Sequence, residues 1–298
     1  MRKYRFLILL LIMILGIFAV IPLETARTDN SRWMASLSED TRIRSLSIPG
    51  THDSGALYSI ADMAGKCQSL PIGEQLQLGV RFLDIRLQLR NNKLHIVHSF
   101  VDQKTTFEDA LQKMVHFIEE NPSEFLILSI KEDAAPKNSS QAYAQVVQAY
   151  LAKYDSIIRN DRSLPDTLGE ARGHIYILSR YETESGIPAY NGWLDSTSFS
   201  LNDLYIQDHY AIENTDDKQK DIEQAFTAAA SGSYDLVLNF TSCYLTSGFP
   251  PAYAATPARD INPWLLERIP QIDGPLGVLI CDYMTSELAS VIIERNFS

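Results

Sequence analysis

The sequence predicts a single α/β domain in which parallel strands alternate with helices and curl towards a barrel. Three observations lead there. Short β-rich runs alternate with segments of helical period along most of the chain, the pattern of successive βα units. The 298 residues are 45% hydrophobic and 21% charged, enough for one large core, with no repeat and no Pro/Gly/Ser linker to divide it. Finally, most β-rich runs end on their C-terminal side in ionisable residues, and the strand ends of a parallel barrel converge on one face.

The β-rich runs are Ile43–Ile48, Val80–Leu87, Leu94–Val97, Phe125–Ile130, Ile175–Leu178, Leu204–Ile206, Leu236–Phe240 and Gly277–Ile280. Pro49-Gly50 is expected to end the first. The second and third, separated by Arg90-Asn91-Asn92-Lys93, are expected to form a local hairpin. Helices are expected over Phe107–Glu120, Gln141–Tyr154, Asp216–Ala230, Pro263–Ile269 and Glu287–Arg295. Thr106 with Asp109 reads as a capping box, and Thr285-Ser286 before Glu287 as a second helix start.

A net charge of −11 argues against a nucleic-acid partner and against electrostatic docking on anionic membranes. Any lipid contact is therefore expected to be apolar. Arg2, Lys3 and Arg5 precede an uncharged run from Phe6 to Leu23, which reads as an export signal or a retained anchor within residues 1–26. That reading predicts a secreted or extracellular protein, either free or membrane-anchored through residues 6–23, with the folded domain over 30–298. Cys67, Cys243 and Cys281 show no C-x-x-C spacing; Cys243 and Cys281, beside apolar runs, read as buried free thiols, with one disulfide as the alternative in an exported protein.

The strand ends carry the chemistry. The first run leads to His52 and Asp53, the second contains Asp84 and Arg86, and the third leads to His98. Lys131, Arg180, Asp208 with Tyr210, and Asp282 follow later runs. Two histidines at neighbouring strand ends suit a general acid and base, and carboxylates such as Asp53 and Asp282 suit their support. Arg86, Lys131 and Arg180 supply fixed positive charge for a phosphate substrate. A metal hydrolase is the main rival, with His52, Asp53, Asp84 and His98 as ligands. Against it, Arg86 falls two residues from Asp84, on the same strand face, where a cation would repel a divalent ion. No G-x-S-x-G elbow supports a serine hydrolase.

With these residues in view, the chain resembles bacterial phosphatidylinositol-specific phospholipase C of the metal-independent, X-domain type. The resemblance runs from about Trp33 to the C-terminus and rests on SIPGTHDSGA, GVRFLDIRL, LHIVHS and ENPSEFLILSIKED, in that order, with GVLICDY near the end. It implies a distorted, incompletely closed (β/α)8 TIM-type barrel that cleaves phosphatidylinositol by attack of the inositol 2-hydroxyl on its own phosphate. It further implies His52 as general base oriented by Asp282, His98 as general acid assisted by Asp53, and Arg86 as phosphate clamp. Lys131, Arg180, Asp208 and Tyr210 are implied around the inositol ring, with Asp84 supporting Arg86 or His52 in substrate binding, and with no metal and no cofactor. One departure stands out: the acid histidine is usually followed by Gly, and here Ser99 follows His98.

The resemblance leaves open free phosphatidylinositol against a glycosyl-phosphatidylinositol anchor. The alternatives are a metal-dependent glycerophosphodiester phosphodiesterase and a non-catalytic exported phosphoinositide-binding module. A monomer is expected. The loop Thr246–Pro257, with Phe249 and Tyr253 among prolines, and Trp193 are candidates for rim contact with lipid.

Overall fold

The computed structural model describes residues 29–59, 65–248 and 251–297. The expected export segment lies outside these residues, as do Phe249 and Pro250 of the expected rim loop. Among the described residues no helix is long and apolar enough to cross a membrane.

The strands, in chain order, are β1 (Ser47–Thr51), β2 (Phe82–Arg90), β3 (Lys93–His98), β4 (Val101–Thr106), β5 (Leu126–Lys137), β6 (Ile158–Arg159) and β7 (Ile175–Arg180). They continue with β8 (Ile187–Pro188), β9 (Ser198–Leu201), β10 (Leu204–Gln207), β11 (Ala211–Ile212), β12 (Leu236–Phe240), β13 (Tyr244–Leu245) and β14 (Gly277–Cys281). The helices are α1 (Ile72–Gln77), α2 (Phe107–Glu120), α3 (Tyr143–Leu151), α4 (Leu168–Ala171), α5 (Thr215–Ala230), α6 (Ala255–Arg268) and α7 (Ser286–Glu294). Across the main sheet the order is β6-β7-β5-β2-β1-β14-β12-β10-β9, every pairing parallel except the last. β6 and β9 stand at opposite ends of that order, so the sheet curls into a TIM-type barrel that is not closed.

The two-residue period of the strands sorts side chains into two cores. Phe82, Ile127, Leu178, Ile206, Val278 and Ile280 pack inside the barrel. Leu83, Ile85, Leu128, Ile177 and Leu279 face outward and pack with Phe107, Met114, Val147 and Leu288 of the surrounding helices. Each large side chain so buried contributes about 1.5–3 kcal/mol. The inward set also decides where the polar residues go. Counting by twos, Phe82 leads to Asp84 and Arg86, Ile127 to Lys131 and Asp133, Leu178 to Arg180, Ile206 to Asp208, and Ile280 to Asp282. The apolar floor and the polar mouth therefore share one register.

The first strand differs from the sequence reading. Ile43–Ser45 forms a turn of 3-10 helix, and β1 includes Pro49 and Gly50 instead of stopping at them. A Cβ on Gly50 would meet Phe82 Cβ at 3.1 Å and Ile280 Cγ1 at 3.2 Å, so glycine lets β1 approach its neighbours. Pro49 still accepts through its carbonyl from Arg81 N at 2.9 Å. The β2–β3 hairpin forms as expected, with Asn91 and Asn92 at φ 49° and 61°, the left-handed pair that such a turn needs. Thr106 and Asp109 form the expected capping box of α2, and Thr285 caps α7. Cys67, Cys243 and Cys281 are buried free thiols.

The bottom of the barrel is held by Arg81, fully buried, whose Nε and Nη2 donate to Glu124 Oε2 at 2.9 and 2.8 Å. Nη1 donates to the carbonyls of Leu76 and Val80, Nη2 also donates to that of Ser31, and the guanidinium lies over the Phe117 ring. Such a pair is tolerated in a core because nearly every donor is used.

Candidate active site

His52 follows directly on β1. Its backbone is fixed at both ends, His52 N donating to Cys281 O at 3.0 Å and Gln68 Nε2 donating to His52 O at 2.8 Å. Its ring Nδ1 lies 2.7 Å from Asp282 Oδ1, which is almost wholly buried beyond β14. That contact leaves Nε2 as the free ring nitrogen.

Asp53, the next residue, turns the other way. Its φ of 40° places it in the left-handed region, uncommon for a residue with a side chain. Thr51, Ser54 and Gln75 of α1 hold that turn through hydrogen bonds of 2.7–2.8 Å. Asp53 Oδ2 then lies 2.6 Å from His98 Nδ1, at the end of β3. The two residues adjacent in sequence thus serve two different histidines. Burial alone would pull the His98 pKa down, but the hydrogen bond and charge of Asp53 more than offset it, and the imidazolium is favoured.

Ser99 adopts φ 52°, which explains why glycine suits this position. The serine is accommodated because its N–H donates to Asp133 Oδ2 at 2.6 Å. Asp133 also accepts from Lys131 Nζ at 2.8 Å and lies 3.9 Å from Arg86 Nη1. Burial opposes ionisation of Asp133, yet Arg86 and Lys131 hold its pKa down to about 2. Arg86 and partial burial in turn lower the pKa of Lys131.

Arg86 occupies the middle of the mouth. Its Nε donates to Asp84 Oδ2 at 2.9 Å and lies 3.9 Å from Asp53 Oδ2. Burial works against its charge, but Asp84, Asp53 and Asp133 raise its pKa well above the ordinary value. Asp84 is fully buried and ionised against the cost of burial, since Arg86 and Arg180 lower its pKa. The carboxylates that a metal hydrolase would offer to a divalent ion are already met by this guanidinium.

Arg180 completes the far wall. It lies 3.7 Å from the Trp193 ring centroid and 5.6 Å from that of Phe240. Its Nη1 is 3.5 Å from Asp84 Oδ1 and its Nη2 3.7 Å from Asp208 Oδ2. Trp193 Nε1 donates to the same Asp208 oxygen at 3.0 Å. Trp193 therefore belongs to the pocket wall, where the sequence reading had offered it to the lipid rim. The Tyr210 hydroxyl donates to Asp195, and burial with that carboxylate pushes its pKa up to about 12. The Tyr210 ring lies 6.1 Å from Tyr244, which lies 6.1 Å from Tyr253.

These groups surround a cavity of about 620 Å³, in the range of small-molecule sites. His52, Arg86, His98, Lys131, Arg180, Asp208, Tyr210 and Asp282 line it. Asp53 and Asp84 lie beneath, fully buried, and act on it through His98, Arg86 and Arg180. All ten residues singled out from the sequence are thus brought together. Sequence reasoning missed Cys67 and Asp195 in the lining and gave Asp133 no role. For Asp133 a signal existed, since it continues the inward alternation of β5 two residues past Lys131. Cys67 and Asp195 come from connecting segments, where no period indicates direction.

Residues 46–180 match the family model described as phosphatidylinositol-specific phospholipase C, X domain. The 1-phosphatidylinositol phosphodiesterase of Listeria monocytogenes is 27% identical over 286 residues, covering 92% of this chain and 87% of that protein. Its namesake from Staphylococcus aureus (strain Newman) is 26% identical, covering 89% of this chain and 93% of that protein. The fold agrees with solved structures. The S. aureus phosphatidylinositol-specific phospholipase C superposes with a TM-score of 0.80 at 23% identity, over 90% of this chain and 98% of that one. The Listeria enzyme gives 0.73 at 24% identity, over 90% and 98%. Over residues 46–180 the chain is similar to the X domain of phosphatidylinositol-specific phospholipases C, and over about 90% of its length it shares the fold of the bacterial enzymes.

Proposed function

We propose that this protein cleaves phosphatidylinositol into diacylglycerol and inositol 1,2-cyclic phosphate, without a metal ion. The observation that carries the proposal is the pair of His-Asp couples facing one cavity with a guanidinium held between carboxylates. In this reading Nε2 of His52 takes the proton of the inositol 2-hydroxyl as its oxygen attacks phosphorus. Asp282 holds Nδ1–H and so keeps Nε2 an acceptor. The bond from phosphorus to the glycerol oxygen breaks, and the His98 imidazolium gives that oxygen its proton. Arg86 stabilises the charge on the non-bridging oxygens at the point where it develops. Because the nucleophile belongs to the substrate, no activated water is needed and proximity supplies much of the rate.

Lys131, Arg180, Asp208 and Tyr210 suit a polyhydroxylated ring, as paired donors and acceptors on one wall. The names of the Listeria and S. aureus relatives support the substrate class. Leu194 and Tyr253 of the cavity lining are exposed, as is Phe100 next to the lining residue Ser99, and they suit substrate presented at a lipid surface through apolar contact. Export of the protein belongs to the same proposal and rests on the basic and apolar character of residues 2–23.

The test is turnover of phosphatidylinositol in detergent micelles with excess chelator, with the water-soluble product identified. The cyclic phosphate is expected to appear first, at a rate the chelator leaves unchanged. His52→Ala and His98→Ala should each lose about 10²–10⁴-fold or more while remaining folded. Absence of cyclic product from the parent enzyme sinks the reading, and loss of activity to chelator sinks the role of Arg86.

A further inference from the structure

Cys67 stands where the two His-Asp couples meet, and the proposed reaction gives it nothing to do. Its Sγ, His98 Nδ1 and a carboxylate oxygen of Asp53 lie within 4.8 Å of one another. The same sulfur forms a second such group with His52 and Asp282. Sγ is 3.7 Å from His98 Nδ1. In a tetrahedral zinc site, metal–sulfur and metal–nitrogen bonds of about 2.3 and 2.0 Å place sulfur and nitrogen about 3.5 Å apart. An independent feature concerns Asp53: its Oδ1 is buried and has no hydrogen-bond partner, so one lone donor waits beside the cluster.

We propose that Cys67, His98 and Asp53 form an inhibitory site for a thiophilic divalent cation of the zinc and cadmium class, with the cavity side left for water. Binding forms a metal–sulfur bond and releases the thiol proton to solvent. His98 sheds its Nδ1 proton to solvent and gives that nitrogen to the metal in place of its hydrogen bond to Asp53, so the imidazolium on which the leaving group depends is lost. The donor set selects against hard ions. Calcium and magnesium need six or more oxygens, most of them water or carboxylate, and Arg86 lies 3.9 Å from the Asp53 carboxylate. Soft ions gain enough from thiolate and imidazole to enter despite that charge. The enzyme therefore needs no metal yet is open to poisoning by one.

The inhibitory consequence rests on the proposed reaction; the binding site does not, and the experiment reads the two separately. The full chain is titrated with Cd²⁺ while the ultraviolet thiolate-to-cadmium charge-transfer band and phosphatidylinositol turnover are followed in parallel. One ion per chain is expected to produce the band. At Cd²⁺ about ten times its dissociation constant, roughly a tenth of the turnover should remain, with recovery on adding chelator. Cys67→Ala should show no band and cadmium-insensitive turnover, and His98→Ala a weakened affinity. Cys243→Ala and Cys281→Ala should bind as the parent does. Cys67→Ser provides a second variant of nearly the same volume should the alanine form fail to fold. A band that survives in Cys67→Ala or Cys67→Ser overturns the proposal, as does Ca²⁺ inhibiting as strongly as Cd²⁺. A parent that binds Cd²⁺ but turns over no phosphatidylinositol leaves the site standing and removes the reaction.

Discussion

Replacing Asp53 by Asn removes one charge and almost no volume, and its effect can be worked from the contacts around it. Asp53 Oδ2 lies 2.6 Å from His98 Nδ1, a hydrogen bond to a charged group in a buried place. Such bonds contribute about 1.5–3 kcal/mol, all of it favouring the imidazolium, so the His98 pKa should fall. The direction follows from the balance already described: burial lowers the His98 pKa and Asp53 raises it further than burial lowers it. Without the charge, burial and the nearby Arg86 both act to lower it. Since His98 must carry its proton to act, the alkaline limb of the rate profile should move to lower pH, and at alkaline pH the variant should run about 10–100-fold slower. On the acidic side of the shifted limb the variant should keep far more activity than His98→Ala, because the amide oxygen can still accept from Nδ1. Stability carries the same sign. A raised histidine pKa contributes stability in full below the ordinary value of about 6.5, and that contribution fades as pH rises through the folded value. The difference in Tm between parent and variant should therefore shrink as pH rises. The assay is initial rate against pH in detergent micelles, beside thermal melts in the same buffers. An alkaline limb that stays in place would refute the coupling of Asp53 to His98.

Two further outcomes follow from other parts of the structure. Trp193→Ala removes both the aromatic face over Arg180 and the donor to Asp208, losses of about 1.5–3 kcal/mol together, so KM should rise roughly 10–100-fold with a smaller change in kcat; steady-state kinetics decide, and a fall in kcat alone contradicts the placement. Arg81→Met strands Glu124 in the core and should cost about 3–5 kcal/mol, or very roughly 6–20 °C in Tm, most of it recovered in the double variant with Glu124→Leu. Calorimetry that finds the single variant as stable as the parent would show the pair to be dispensable.

Much of the candidate site was readable in the sequence because strands impose a two-residue period on side chains. Asp84 with Arg86, Lys131, Arg180, Asp208 and Asp282 each fall in step with an apolar residue lower in the barrel, so alternation alone assigns them to the interior. Where the backbone leaves that period, the reading weakens. Asp53 and Ser99 sit at positive φ, and only their partners in space, His98 and Asp133, reveal what those turns accomplish. Trp193 looked like a rim residue because an aromatic in a polar loop carries no sign of direction. Cys67 had no assigned place, because it lies in a connecting segment and its nearness to His98 comes from contacts such as Cys67 N donating to Ala56 O. The start of β1 was misplaced for a plainer reason. Pro49 and Gly50 ordinarily interrupt strands, and the tight approach of β1 to β2 and β14 rewards the glycine.

The unclosed sheet has a consequence for how such a pocket can change. In a closed eight-stranded barrel, strand number and stagger set the diameter, and the interior is just wide enough to be filled by side chains. Here β7 and β10 stand near opposite ends of the strand order, and the mouth is spanned between them by Arg180, Trp193 and Asp208 in place of a backbone ladder. The site is its own clasp. Width at the mouth is set by side chains and by the loop that carries Trp193, so the pocket can be enlarged or narrowed by substitution without re-registering a strand. The same clasp links occupancy to integrity. A ligand gripping both Arg180 and Asp208 ties the two ends of the sheet together, and its binding energy adds directly to the stability of the folded barrel.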